Sequence, residues 1–269
     1  MLNCLRNLAK FSGFAVVLSM LVFNTCTAET GATEAPPESK TGWNGTLAAG
    51  PMVIPRYTGG KKQQVLPLPL LSINYNETFY VEVQRIGVYL LASDDKKIGV
   101  GIAAEPRLGF CENDGAKLRG MATRRNSLET GITFDADFDA FALSAAWLTD
   151  TTRSSRGAST RLSLYRPVVK NKRGEIGLLA TVDRMSVRTA NYFFGVNASE
   201  ETVQRPKFIA GSGTNISIGV GGTYRLRIDD KGAFIFGANI GRLSSGVARS
   251  PIVETNRTSQ IYLGYGWAL

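Results

Sequence analysis

Apolar residues alternate with polar or small ones along most of the chain, in short runs. Between Asn215 and Ile228, the residues Ile216, Ile218, Val220, Tyr224, Leu226 and Ile228 share one face. Asn215, Ser217, Gly219, Gly221, Thr223, Arg225 and Arg227 share the other. At the C-terminal end Ile261, Leu263, Tyr265, Trp267 and Leu269 oppose Tyr262, Gly264, Gly266 and Ala268. Successive side chains of a strand point to opposite faces, so a sustained period of two predicts strands with one apolar and one polar or small face. Four more runs behave alike: 98–105, 128–135, 141–147 and 175–183.

The second face carries Gly, Ser, Thr and scattered charge in place of the Lys and Glu of a solvent-facing sheet. That composition predicts a crowded barrel interior, with the apolar face turned to lipid. Aromatic residues near strand ends (Trp43, Tyr75, Tyr80, Trp147, Tyr224, Trp267) would form interfacial girdles. Tight turns are expected near 74–77, 93–96, 135–137, 171–174 and 229–232. Longer loops are expected over 111–125, 149–158, 191–214 and 244–257. About eleven strands can be counted, and a single-chain bacterial barrel takes an even number. The fold class is therefore an all-β antiparallel transmembrane β-barrel of about 12 strands, with 10 as the alternative. Two places bear on that count. The run 79–90 changes phase near Arg85-Ile86, implying a bulge or a split strand, and 191–214 has room for one strand more.

The N-terminal residues change the picture of where this barrel resides. Residues 1–28 read as an export signal: Arg6 and Lys10 precede an apolar core from Phe11 to Phe23, and Cys26-Thr27-Ala28 offers small residues for cleavage. Residues 29–42, with Pro36-Pro37, read as a disordered lead-in, and 43–269 as the barrel. Cleavage would leave Cys111 as an incidental, unbonded loop thiol. It would also lower the formal charge from +9 to about +7, a balance that suits lipid phosphates. No dense Lys/Arg run is interleaved with aromatics, so nucleic acid is not an expected partner.

The histidine count of zero removes every Ser-His-Asp, Cys-His and His-based metal arrangement. No spacing singles out a Ser-Lys or paired-carboxylate site, so no catalytic residue, metal site or cofactor is expected. Charged residues on the interior face are the candidates that remain: Glu105, Glu129, Arg161, Glu175, Asp183, Arg225 and Arg227. They would form either an anion path or a set of ion pairs that plugs a narrow lumen. Arg119, Arg124, Arg125, Arg153 and Arg156 are candidate loop contacts to lipid phosphates or an acidic polymer, or else a solvated surface.

From about Gly45 onward the chain resembles the MltA-interacting protein/OmpV family of outer-membrane proteins. The likeness rests on Pro55-Arg56-Tyr57-Thr58-Gly59, Leu66-Pro67-Leu68-Pro69 and Leu118-Arg119-Gly120-Met121. It continues through Asn191-Tyr192-Phe193-Phe194-Gly195-Val196-Asn197-Ala198-Ser199-Glu200, Gly219-Val220 and Thr223-Tyr224-Arg225-Leu226. Arg242-Leu243 and Ser250-Pro251-Ile252-Val253-Glu254 complete it. Two departures stand out: the chain ends in Leu269 where the family has an aromatic, and the motif around Arg107-Leu108-Gly109-Phe110 is blurred. The resemblance implies a non-catalytic scaffold in the Gram-negative outer membrane, in contact with its lipid and with murein hydrolase and synthase proteins. The alternative is a small-solute or anion-conducting pore.

Overall fold

The computed structural model describes residues 42–82, 84–171, 174–211, 215–228 and 232–269, with 68–71 and 215–227 as backbone only. The leader, nearly all of the lead-in, and two expected turn tips, 172–173 and 229–231, lie outside them. The strands are β1 (Trp43–Pro55), β2 (Gln63–Tyr75), β3 (Phe79–Glu82), β4 (Ile86–Ala92), β5 (Ile98–Arg107) and β6 (Ser127–Asp137). They continue as β7 (Ala142–Asp150), β8 (Ala158–Asn171), β9 (Gly174–Met185), β10 (Asn215–Arg227), β11 (Gly232–Arg242) and β12 (Arg257–Ala268). Each pairs antiparallel with its sequence neighbours, and β1 pairs with β12 to close a barrel. The even count comes from the phase change at Arg85-Ile86, which splits the run 79–90 into β3 and β4; a bulge follows between Tyr89 and Leu91.

The alternation sorts inside from outside. On β6, Ile132 is 55 % exposed on the outer wall while Thr133 beside it is fully buried. Ile102, Trp147, Leu178, Phe236 and Leu263 likewise face outward, and Ala103, Ala146, Leu179, Ile235 and Tyr262 face in. The interior glycines make room for rings. A Cβ on Gly87 would strike Tyr80, one on Gly177 would strike Tyr165, and one on Gly237 would strike Tyr262. Each tyrosine lies across a glycine of a neighbouring strand, covering its bare backbone. Tyr80 is thereby corrected: it is 5 % exposed inside the barrel and belongs to no girdle. At one end of the outer wall Trp43 packs on Tyr75 and Phe79, and Tyr265 on Phe234 and Trp267.

That end is also where β1 begins, where β12 ends, and where the short connections 76–78, 93–97 and 138–141 lie. Apart from the short link between β3 and β4, the connections at the other end are longer: 56–62, 108–126, 151–157, 243–256 and the stretch following β9. Short turns face the periplasm and long loops the exterior, which orients the barrel. The longer loops build a packed cap. Among the described residues of 191–214 there is no further strand. A helix, α1 (Val187–Phe194), is started by Ser186, whose side chain accepts from the Thr189 N–H, and a second, α2 (Ser245–Ala248), follows β11. Ala190, Phe193 and Phe194 bury against Met185, Leu243 and Val247. The Tyr57 hydroxyl donates to the Ile252 carbonyl at 2.9 Å, and Ser250 donates to the Phe194 carbonyl at 2.6 Å. Cys111 is buried and disulfide-bonded, contrary to the expected lone loop thiol.

The wall is not equally tall all round. β2 pairs with β3 only over Ser72–Tyr75, so the outer stretch of β2 from Gln63 to Leu71 has no ladder on that side among the described residues. In a strand, the N–H and C=O of each residue point to one neighbour and those of the next residue to the other. The Leu269 N–H donates to the Gly45 carbonyl, so odd positions of β1 address β12 and even ones β2. By the β1–β2 register, odd positions of β2 then face the gap, Pro67 and Pro69 among them. The same reasoning on β5, from the Asp137 N–H donating to the Lys97 carbonyl, turns Pro106 toward the gap from the far side. Three residues lacking an N–H thus border the notch, where no strand could receive one.

A lipid-facing wall has a measurable signature. Ile132→Arg, near the middle of β6, should cost about 2–4 kcal/mol, read as a lower urea midpoint of the heat-modifiable band. Val203→Arg, in the cap at 95 % exposure, should leave that midpoint within about 0.5 kcal/mol.

Candidate functional site

Interior positions of six consecutive wall elements converge on one ion-paired lattice. Arg85, at the β3–β4 turn, points inward: its Nε donates to Glu105 Oε1 at 2.7 Å and its Nη1 to Ser144 Oγ at 3.0 Å. Asp135 lies 3.5 Å from the same Nη1 and accepts from the Tyr89 hydroxyl. Arg107 Nε donates to Glu129 Oε1 at 2.7 Å, and its Nη1 to Asp183 Oδ2 at 3.1 Å. Arg161 bridges the two halves. It pairs with Glu105, donates to Glu129 Oε2 at 2.9 Å, and approaches Asp183 at 3.6 Å. Ser159 adds a hydrogen bond to Glu129 at 2.7 Å.

The strands supply these groups by parity. Glu105 and Arg107 lie two residues apart on β5, as do Ser159 and Arg161 on β8, so each pair shares the interior face. Register sets Glu105 opposite Glu129 and Arg161 opposite Asp183. Two facing glutamates would repel; Arg107 and Arg161 answer them by binding Glu129 from two sides. Glu129 is fully buried and Glu105 3 % exposed. Buried charges persist only when paired and hydrogen-bonded, and here each carboxylate meets at least one guanidinium. The space left beside the lattice is about 90 Å³, lined by Gln84, Arg85, Glu105, Ser144 and Asp183 among others.

Of the interior candidates, Glu105, Glu129, Arg161 and Asp183 are brought together. Glu175 is not: it sits at the turn end of β9 and accepts from the Tyr165 hydroxyl. Arg225 and Arg227 occupy β10 opposite Ile235 and Ala233, and their side chains lie outside the described residues. Three charged members, Arg85, Arg107 and Asp135, escaped sequence reasoning, Asp135 although it stands in phase with Glu129 on β6. Arg107 stands in phase with Glu105 two residues earlier, a signal that was legible. Arg85 sits at the phase break, where alternation no longer tells inside from out.

The loop candidates divide as well. Arg119, Arg125, Arg153 and Arg156 are exposed on the cap. Arg124 is not at a surface. It is 6 % exposed and pairs with Glu200 at 2.7 Å, donating also to the carbonyl of Tyr192. A second buried arginine, Arg205, ties the loops together by donating to the carbonyls of Lys117, Arg119 and Glu200. Burial works against the Glu200 carboxylate, but hydrogen bonds from Arg124 and from the Asn197 and Ala122 N–H groups outweigh it. Its pKa is held below the ordinary glutamate value. Among the described residues no group of His, Cys, Asp and Glu is arranged to hold a metal ion.

Two expectations follow. Glu129→Ala removes the carboxylate that Arg107 and Arg161 bind at 2.7 and 2.9 Å and should destabilise the folded barrel by about 3–5 kcal/mol. Glu175→Ala, which breaks one hydrogen bond to a tyrosine, should cost only about 1–2 kcal/mol. Urea titration of the heat-modifiable band measures both. A carboxylate with a depressed pKa stabilises the fold above its unfolded value and ceases to as pH falls through the folded one. Protease protection of the cap should therefore hold at neutral pH and fail under acid below the ordinary glutamate range, and Glu200→Gln should be poorly protected at both.

The family model described as MltA-interacting protein MipA matches residues 47–269. Among curated relatives, the outer membrane protein Omp26La of Vibrio anguillarum is 25 % identical over 178 residues, 65 % of this chain and 62 % of that protein. The outer membrane protein OmpV of Vibrio cholerae is 23 % identical over 176 residues, with the same shares. The alignments thus span less than two thirds of those relatives. A mutant Rh. blastica porin of known structure aligns with 84 % of this chain and 99 % of its own, at 9 % identity and a TM-score of 0.19, too distant to bear on the fold. Because the family match runs through every strand but the first residues of β1, the chain belongs to the MipA family, and its place is the outer membrane of a Gram-negative cell.

Proposed function

We propose that this protein is a non-catalytic, non-conducting platform in the outer membrane that docks murein-remodelling enzymes, a hydrolase and its synthase, at its periplasmic end. The observation that supports the reading is the ion-paired lattice that occupies the lumen on its β4–β9 side. Three guanidinium groups and four carboxylates interlock across the interior between β4 and β9. Above them the cap is tied across by Arg124–Glu200 and Arg205. A barrel so filled offers partners its surfaces and not its bore. The family's name supplies the kind of partner, since it describes a protein that interacts with a murein hydrolase.

Murein lies on the periplasmic side, so the docking face is the turn end. The turns there present Asp94, Asp95, Lys96 and Asp139, all exposed, with the Phe138 and Phe141 rings in tilted contact at 4.9 Å beside them. Aromatic residues ringed by charge suit a binding surface whose centre is apolar and whose rim is polar. Arg119, Arg125, Arg153 and Arg156 lie on the opposite end and take no part in that contact.

The reading is tested by capture of a murein hydrolase of the MltA type on the immobilised, folded barrel. The triple variant D94A/D95A/D139A should weaken capture roughly tenfold, as expected when rim charges are removed together, and R119A/R125A should leave it unchanged. Planar-bilayer recording on the same preparation should stay silent; reproducible conductance steps would favour the pore alternative instead.

A further inference from the structure

The outer wall carries an unbalanced set of cations where its apolar surface ends. Register places Arg242 of β11 directly opposite Arg257 of β12, and both are exposed. They continue the outward-facing rows of Phe234, Phe236 and Ile240 on β11 and of Trp267, Leu263 and Ile261 on β12. Among the described residues no hydrogen bond or ion pair engages either guanidinium. Like charges directly opposite each other destabilise an antiparallel pair, so this pairing calls for an anion between them. Across β10, Arg184 is also exposed on the outer face of β9. Just beyond, Arg242 and Arg249 line a groove of about 530 Å³ with Leu243 and Val253. The groove's one carboxylate, Glu254, already accepts from the Lys61 N–H at 2.9 Å.

Height on the wall identifies the anion. Phe234, Tyr265 and Trp267 mark the periplasmic edge of the apolar band. Arg242 lies eight residues further along β11 and Arg257 ten along β12. At about 3.4 Å per residue and a strand tilt of about 40°, those spans rise roughly 21 and 26 Å. The apolar band of such barrels is about 25 Å tall. The paired arginines therefore sit at the headgroup level of the outer leaflet, above the exposed side chains of Ile240 and Ile261.

We propose that Arg242 and Arg257, flanked by Arg184 and Arg249, form a binding site for a phosphorylated glycolipid of the outer leaflet. A lipid phosphate lies between the two guanidinium forks, which match phosphate oxygens bidentately. Its acyl chains run down the wall over Ile240 and Ile261. The phosphate turns a repulsive pair into a bridged one, and the apolar row below supplies the contact that a free phosphate lacks. The site is independent of any periplasmic partner, so it stands or falls apart from the platform role.

The test is titration of the full barrel in detergent, followed by native mass spectrometry, with three probes: a diphosphorylated glucosamine lipid, the same lipid without phosphates, and inorganic phosphate. The diphosphorylated lipid should bind, R242Q/R257Q should weaken it at least about tenfold, and R242K/R257K should restore part of the loss. The wild-type affinity should fall as salt is raised. Equal binding of the dephosphorylated lipid would overturn the proposal, and so would unchanged binding by a glutamine variant that keeps its heat-modifiable band. Inorganic phosphate binding as tightly as the lipid would show a free-anion site instead. Should the double variant fail to fold, R257Q alone gives the same readout against R119Q, whose arginine lies on the cap.

Discussion

The rest of the structure depends on how three buried guanidinium groups are neutralised inside a narrow barrel. Glu129 is the knot: Arg107 and Arg161 both bind it, and through them it is joined to Glu105 and Asp183. Strand parity alone would bring Glu105 and Glu129 face to face. The arginines make that arrangement tolerable, and in doing so they fix the register of β5 through β9 from within. Tyrosine rings lie over the interior glycines Gly87, Gly177 and Gly237. Among the described residues, ion pairs and rings thus occupy the interior along β4 to β9.

The ends and the outer wall differ in kind. The outer end is a small folded body with its own apolar clusters and its own buried ion pair, Arg124–Glu200. The periplasmic end is a row of tight turns bearing exposed charge and aromatic rings. Between them the wall is apolar, bounded below by Phe234, Tyr265 and Trp267. The chain spends its long connections on a cap at the outer end and its short ones on tight turns at the other.

Much of this was legible in the sequence because a period of two is a local signal. The runs 98–105, 128–135, 141–147 and 175–183 sort their residues inside and out as the alternation predicts, and Glu105, Glu129, Arg161 and Asp183 fell on the interior side. Legibility failed where the signal is not local. Arg85 joins the lattice from a turn, outside any alternating run. Arg124 looked like one of several loop cations, yet it is buried because Glu200, far away in sequence, folds back to meet it. Helix α1 was missed because eight residues carry barely two turns of apolar spacing, and its burial is decided by the loops around it. Tyr80 resembled a girdle residue by position, but the glycine that receives its ring lies on the next strand.

The notch between β2 and β5 gives the barrel a mechanical character of its own. Near the periplasm the hydrogen-bonded ring is complete; toward the exterior it is parted, with Pro67, Pro69 and Pro106 ensuring that the two lips cannot be stitched by a neighbouring strand. Such an object is a split collar. Its girth is set by the closed ladder at the base, and the Arg85–Glu105 contact ties the β3–β4 turn, at the foot of the split, to the β5 lip.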